Sequence, residues 1–359
     1  MIQLLREEKF IVLALLAALA DLLPGPWRHA GAAAAMAETV VLVAAILAAS
    51  LSVVRHAELI ARKLGDPYGS MILTLSAVLV EVIVLGIVAR GGASPELVRD
   101  SIYSAVMLDI NGILGLAALI GGFKHGEQAY NDDSARTYGV MILTAVAVSM
   151  IIPEFIPGAR WRAYSVFTIV VMVLLYGVFL RMQTGPHSYF FSYSYPEKNA
   201  RRRQAPVPVH TPRSAGVMIA GIAIVGLLAE LMSHSMQRGL HGVAVPAGVV
   251  PLIIAGISAA PEILTALRAA LANRMQSVVN IAMGASLSTV ILTVPAMEAM
   301  ALYSGQALRM AMTPLQTVMM LVTLIAAAIN LNDGQTNAIE GMTHFVLFAA
   351  FLMLVALGL

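Results

Sequence analysis

Two glutamates stand alone in long apolar stretches: Glu81 in MILTLSAVLVEVIVLGIVA and Glu262 in VPLIIAGISAAPEILTAL. An ionisable group at membrane depth costs roughly 3 kcal/mol or more, so it faces a partner or a wet cavity and marks a route for ions or protons. Beside Glu262, Pro261 has no amide hydrogen to donate, which leaves the carbonyl of Ile257 without its helical partner, one turn from the carboxylate. Ser258, four residues before Glu262, shares its helix face. Carboxylate, carbonyl and hydroxyl oxygens together form the ligand set of a hard cation such as Ca2+. The plainer alternatives are a protonated glutamate that joins two helices and a proline kink that only shapes its helix.

The apolar segment after each glutamate is polar at a similar depth. SIYSAVMLDINGILG carries Asp109 and Asn111, and SVVNIAMGASLSTVILTVP carries Asn280, Ser286, Ser288 and Thr289. Asn111 and the serines are candidates to complete the cation site. The alternative is small-residue packing, with hydroxyls bonded back to their own helix. Asp109, two residues from Asn111, points elsewhere on the helix, to a helix contact or a proton route. Glu230 and His234, spaced i, i+4 near the end of another apolar segment, make either a proton relay or an interfacial ion pair. HGEQ at 125–128 and Asp132–Asp133 are expected on a solvated face.

The elements that position these groups follow from composition. Hydrophobic residues make up 59% of the chain and charged residues 12%, against about 25% charged in soluble domains. Lipid is the solvent that suits such a chain. Its backbone polar groups must then be satisfied internally, so the apolar runs are helices. Strands of a barrel would instead alternate polar and apolar positions over ~10 residues, a pattern missing here. The predicted fold class is therefore an all-α polytopic membrane protein.

Eleven runs have about the length of a span, near residues 8–23, 32–54, 69–89, 101–122, 138–157, 164–182, 214–234, 245–267, 276–300, 312–331 and 338–358. The first is short and holds Asp21. Glu7, Glu8, Pro24 and Pro26 argue against reading it as a cleaved signal peptide. Residues 183–213 are rich in Pro, Tyr and Arg and read as a linker, with Arg201, Arg202 and Arg203 at an anionic surface.

Of 22 basic residues, only Arg28, Arg90, Arg99, Arg160, Arg162, Arg238 and Arg309 fall on the side opposite that linker. This bias predicts an inner-membrane protein with its N-terminus and linker cytoplasmic and its C-terminus external. Glu81 and Glu262 lie five spans apart, so their helices cross in opposite directions. Residues 32–182 and 214–359 are then two inverted repeats of five helices, with 1–31 as an additional N-terminal helix. Inverted repeats place a binding site near the midplane, where the halves meet.

Several stretches carry a family resemblance: ILTLSAVLVEVIVL (72–85), AVMLDINGILGLAALIGGFKHGEQ (105–128), APEILTALRAALANRMQSVVNIAMGASLSTVILTVP (260–295) and QTNAIEGMTHFVLFAAFLML (335–354). Together they resemble bacterial ChaA-type calcium/proton antiporters, in the cation/proton exchanger branch of the calcium/cation antiporter superfamily. The resemblance implies eleven helices, inverted repeats, and Ca2+ or Na+/K+ expelled against protons. In that superfamily a GNxxE-like motif in each repeat ends in a cation-binding glutamate, which Glu81 and Glu262 match. Asn111 matches a polar position on the following helix, and Ser288 lies near the equivalent point of the second repeat. The Gly-Asn pair itself falls on Ala77-Val78 and Ser258-Ala259.

Enzyme signatures are absent: no HExxH, no GxxxxGK[ST] and no GxSxG. No enzymatic activity, resident cofactor or nucleic-acid partner is expected. The expected substrates are Ca2+, Na+ or K+ and protons, moved by alternating access at the two glutamates. A homo-oligomer is as compatible with the sequence as a monomer. The competing reading is a cation channel or leak pathway, with the glutamates as a selectivity ring.

Overall fold

The computed structural model describes residues 8–23, 31–64, 68–90, 94–184, 211–241 and 245–359. Within them the chain forms helices almost throughout: α1 (Lys9–Leu22), α2 (Ala32–Leu64) and α3 (Tyr68–Arg90). Then come α4 (Leu97–His125), α5 (Asp132–Phe155) and α6 (Gly158–Gln183). The second half holds α7 (Thr211–Leu240), α8 (Val249–Leu271), α9 (Met275–Ser304), α10 (Pro314–Asn330) and α11 (Ala338–Leu357). The eleven expected runs are eleven helices. Eight of these are long and apolar enough to cross a membrane. At 1.5 Å per residue, the 14-residue α1 is about 21 Å long, short of the roughly 30 Å hydrocarbon layer. It leans on α2 and α7, burying Ala14, Ala18 and Asp21. Most of the 183–213 linker lies outside the described residues.

Helices α4 and α9 are the most enclosed, and α6 and α11 present most of their surface outward. The residue types explain this. α4 carries Gly112, Gly115, Gly121 and Gly122 with Ala105, Ala117 and Ala118 among its larger apolar residues, and small residues let backbones approach closely. At the crossing of α4 and α11, a methyl group on Gly341 would lie 2.2 Å from the backbone nitrogen of Leu119, so the position admits only glycine. The contacts repeat between halves: α4 packs on α8 and α11, while α9 packs on α3 and α6, and α2 lies along α7.

Both central helices loosen into a π turn at mid-length, Leu108–Leu114 in α4 and Thr289–Thr293 in α9. Such turns concentrate at functional positions. Pro261 sits inside α8.

One expectation fails at the helix ends. Gln128 of the HGEQ stretch is not on a solvated face but 1% exposed. Its amide donates to the Ala270 carbonyl and to Asn273 Oδ1, each at 3.0 Å. Its backbone pairs antiparallel with Thr336. The loop after α4 is thereby tied to the loops after α8 and α10, a long-range role that no local pattern signals.

Candidate functional site

Glu81 and Glu262 line one small internal cavity, together with Asp109, Ser258, Ser288 and Thr289. Its free volume of about 20 Å3 is close to the 10–15 Å3 that a single water occupies by the same measure, so it admits a bare ion or a water and nothing larger. Four helices meet here. α3 and α8 supply the glutamates, α8 also supplies Ser258, the π turn of α4 supplies Asp109, and α9 supplies Ser288 and, at the start of its π turn, Thr289.

The three carboxylates are held differently. Glu81, 7% exposed, accepts at Oε2 from Thr289 Oγ1 at 3.1 Å and from Thr293 Oγ1 at 2.9 Å. Asp109, 2% exposed, accepts at Oδ2 from Ser286 Oγ at 3.1 Å. Glu262 is only partly buried and has no hydrogen bond to a described residue.

Glu262 also forms the inner wall of a second, larger cavity of about 290 Å3, which contains Ser50, Val54, Glu58, Tyr176, Gln183 and Asn280. Ser50, Val54 and Glu58 follow one face of α2 towards its C-terminal end, so the vestibule runs from that end of the bundle to Glu262. No lysine or arginine lines either cavity.

Ser258 and Ser288 donate back to their own helices, to the Ala255 and Ala285 carbonyls at 3.0 and 2.9 Å, and still line both cavities with lone pairs to spare. Among the described residues, no three acidic or imidazole groups are gathered closely enough to hold a metal ion together. The cavity is a loose cluster of oxygens rather than a preformed chelate.

Four expectations need correction. Asn111 does not reach the cavity. Wholly buried, it donates to Thr323 Oγ1 at 2.7 Å, and its Oδ1 meets His344 Nδ1 at 2.9 Å. Asp109 takes its place, because two residues apart on a helix point to opposite sides and the π turn aims the aspartate inward. Ile257 is 2% exposed in the apolar core and is not part of the cavity wall, whereas Ser258 beside it is. Glu230 and His234 are both exposed, and no hydrogen bond or ion pair joins them. The reason is the face of α7 on which they lie. Leu228, Ala229, Met232 and Ser233 take the buried side, leaving these two pointing outward and away from the cavity.

Thr289 is one of several hydroxyls in its stretch, and Thr293 carries no mark of its own in the sequence. The TVILT spacing, with threonines four apart opposite a lone glutamate, was the available signal.

Comparison with known proteins places this geometry in context. Residues 35–185 and 213–357 match the family described as sodium/calcium exchanger protein. The sodium-potassium/proton antiporter ChaA of Escherichia coli is 32% identical over 318 residues, covering 86% of each chain. The Ca2+/H+ antiporter ChaA of Bacillus subtilis is 25% identical over 269 residues, 72% of this chain and 74% of that one. The structure of native YfkE superposes with a TM-score of 0.77 at 20% identity, over 97% of this chain and 99% of that chain. The H+/Ca2+ exchanger CAX gives 0.66 at 15% identity, over 97% and 88%.

Proposed function

The chain belongs to the sodium/calcium exchanger family, and we propose that it exchanges Ca2+, and also Na+ or K+, for protons across the bacterial inner membrane at Glu81 and Glu262. The observation that carries this reading is the shared cavity: two glutamates from helices five apart, walled by hydroxyls, with room for one bare ion. Deprotonated, the pair neutralises one Ca2+. Protonated, it carries no charge, and the empty site can be carried back through low dielectric at little cost. Competition for the same oxygens couples the two flows. Asp109, the third carboxylate of the cavity, gives a proton a place beside the cation. Glu262 faces the vestibule and receives the cation first.

Residues 32–182 and 214–359 act as inverted repeats that rock about this site, and the exchange of contacts between halves supports that division. The vestibule sits at the C-terminal ends of α2 and α6, the end that carries Arg55, Lys63 and Arg181, so it opens to the cytoplasm. A channel would need a wet path on both sides of the glutamates. Here Glu81 is bonded to α9 on the side away from the vestibule, which favours alternating access.

The test is everted vesicles bearing an imposed proton gradient, in which addition of Ca2+, Na+ or K+ should dissipate the gradient. Uphill cation movement driven by protons supports an exchanger. Fast downhill conduction indifferent to the proton gradient supports a channel.

A further inference from the structure

The two glutamates are not equivalent. Glu262 has no hydrogen bond to a described residue, whereas Glu81 is gripped by two threonine hydroxyls of α9. The grip is uneven within the carboxylate as well. Oε2 takes both close bonds, at 3.1 and 2.9 Å, and Oε1 has only a 3.4 Å contact with Thr289. The backbone explains why both hydroxyls reach one oxygen. Thr289 and Thr293 open and close the π turn of α9, four residues apart and so on one face of the helix. The π turn of α4, LDINGIL, offers no hydroxyl, and its two polar members are committed elsewhere, Asp109 to Ser286 and Asn111 to Thr323 and His344.

We propose that Thr289 and Thr293 are positioning residues for cation exchange: they saturate Oε2 of Glu81, fix its rotamer, and leave Oε1 presented to the cation arriving from Glu262. This rests on the reading of Glu81 and Glu262 as the exchange site. Thr293 is wholly buried and outside the cavity wall, so no water stands in when its hydroxyl is lost. A carboxylate without these donors is free to swing, and the cation must then order it. The cost falls on binding rather than on the conformational step, so KM should rise while Vmax holds.

The experiment is proton-driven Ca2+ transport in everted vesicles for Thr289→Val, Thr293→Val, the double variant and Thr293→Ser, each normalised to folded protein. Glu81→Gln and Glu262→Gln serve as controls. Valine keeps the shape and removes the donor, and serine keeps the donor. Thr293→Val should raise KM for Ca2+ by about tenfold, the order expected for losing a hydrogen bond to a charged group. The double variant should raise it further, Vmax should stay within about twofold, and Thr293→Ser should restore the wild-type KM. A wild-type KM in the double variant, or a serine variant as impaired as the valine one, overturns the positioning role. If that happens while both glutamine controls are inactive, the exchange site stands and only this inference falls. Active glutamine controls would instead remove the site itself.

Discussion

The Ser286 hydroxyl of α9 donates to Asp109 Oδ2 of α4 across 3.1 Å, in a place where both side chains are at most 2% exposed. This bond joins the two most enclosed helices directly beside the cavity that the aspartate lines, and in the proposed exchange Asp109 acts within that site. Asp109→Asn, which removes the charge and the exchangeable proton, should lower proton-coupled cation transport by about tenfold or more, because charge count tunes the affinity of oxygen sites for hard cations. Ser286→Ala should be milder, within about threefold, since the carboxylate retains its place on the helix. Initial exchange rates at matched expression check both. Equal effects of the two substitutions would count against a direct role for Asp109.

Asn111 makes the opposite prediction. Its amide bridges α4 to Thr323 of α10 and His344 of α11, outside the cavity. Asn111→Ala should cost about 1–3 kcal/mol of stability, the penalty for leaving buried partners unpaired. Its apparent cation affinity should stay close to wild type. Thermal unfolding in detergent beside transport KM separates the two effects, and a large KM change in a fully stable protein would return Asn111 to the binding site.

These two residues also show how much was legible in the sequence. The eleven helices could be read because composition and length alone decide what a bilayer tolerates. Glu81 and Glu262 could be read because a lone carboxylate in an apolar run is costly enough to need a reason. What failed was the choice between neighbours two positions apart. Asp109 and Asn111 are equally polar, and which one points inward depends on the local π turn and on partners more than 170 residues away in sequence. The pairing of Glu230 with His234 failed for a related reason: i, i+4 spacing puts two groups on one face without saying which way that face looks. Gln128 was invisible because its partners lie at the end of α8 and in the loop that follows it.

The pH dependence follows from competition. In the proposed exchange, protons and cations share the same carboxylate oxygens, so protonation removes the charge that the cation needs. Apparent cation affinity should therefore improve as pH rises from mildly acidic to alkaline. KM measured across that range at a fixed proton gradient checks the sign, and an affinity that is flat with pH would argue against a shared site.

Topology is open to a direct check. The basic bias of the loops predicts a cytoplasmic 183–213 linker and an external C-terminus. Reporter fusions at Arg202 should read cytoplasmic and at Leu359 external. A cytoplasmic C-terminus would break the odd number of crossings and, with it, the inverted relation between the halves.

The most direct test of the two-glutamate exchange site is transport by Glu81→Gln and Glu262→Gln. Glutamine keeps the shape and hydrogen-bonding capacity of each side chain but can neither neutralise a cation nor carry the exchanged proton. An uncharged amide suits the membrane interior better than a carboxylate, so both variants should insert and fold at wild-type levels. Proton-driven Ca2+, Na+ and K+ exchange in everted vesicles should be abolished in each, with expression and thermal stability unchanged. Near wild-type exchange in either variant, or a loss of activity that merely tracks a loss of folded protein, would contradict the account.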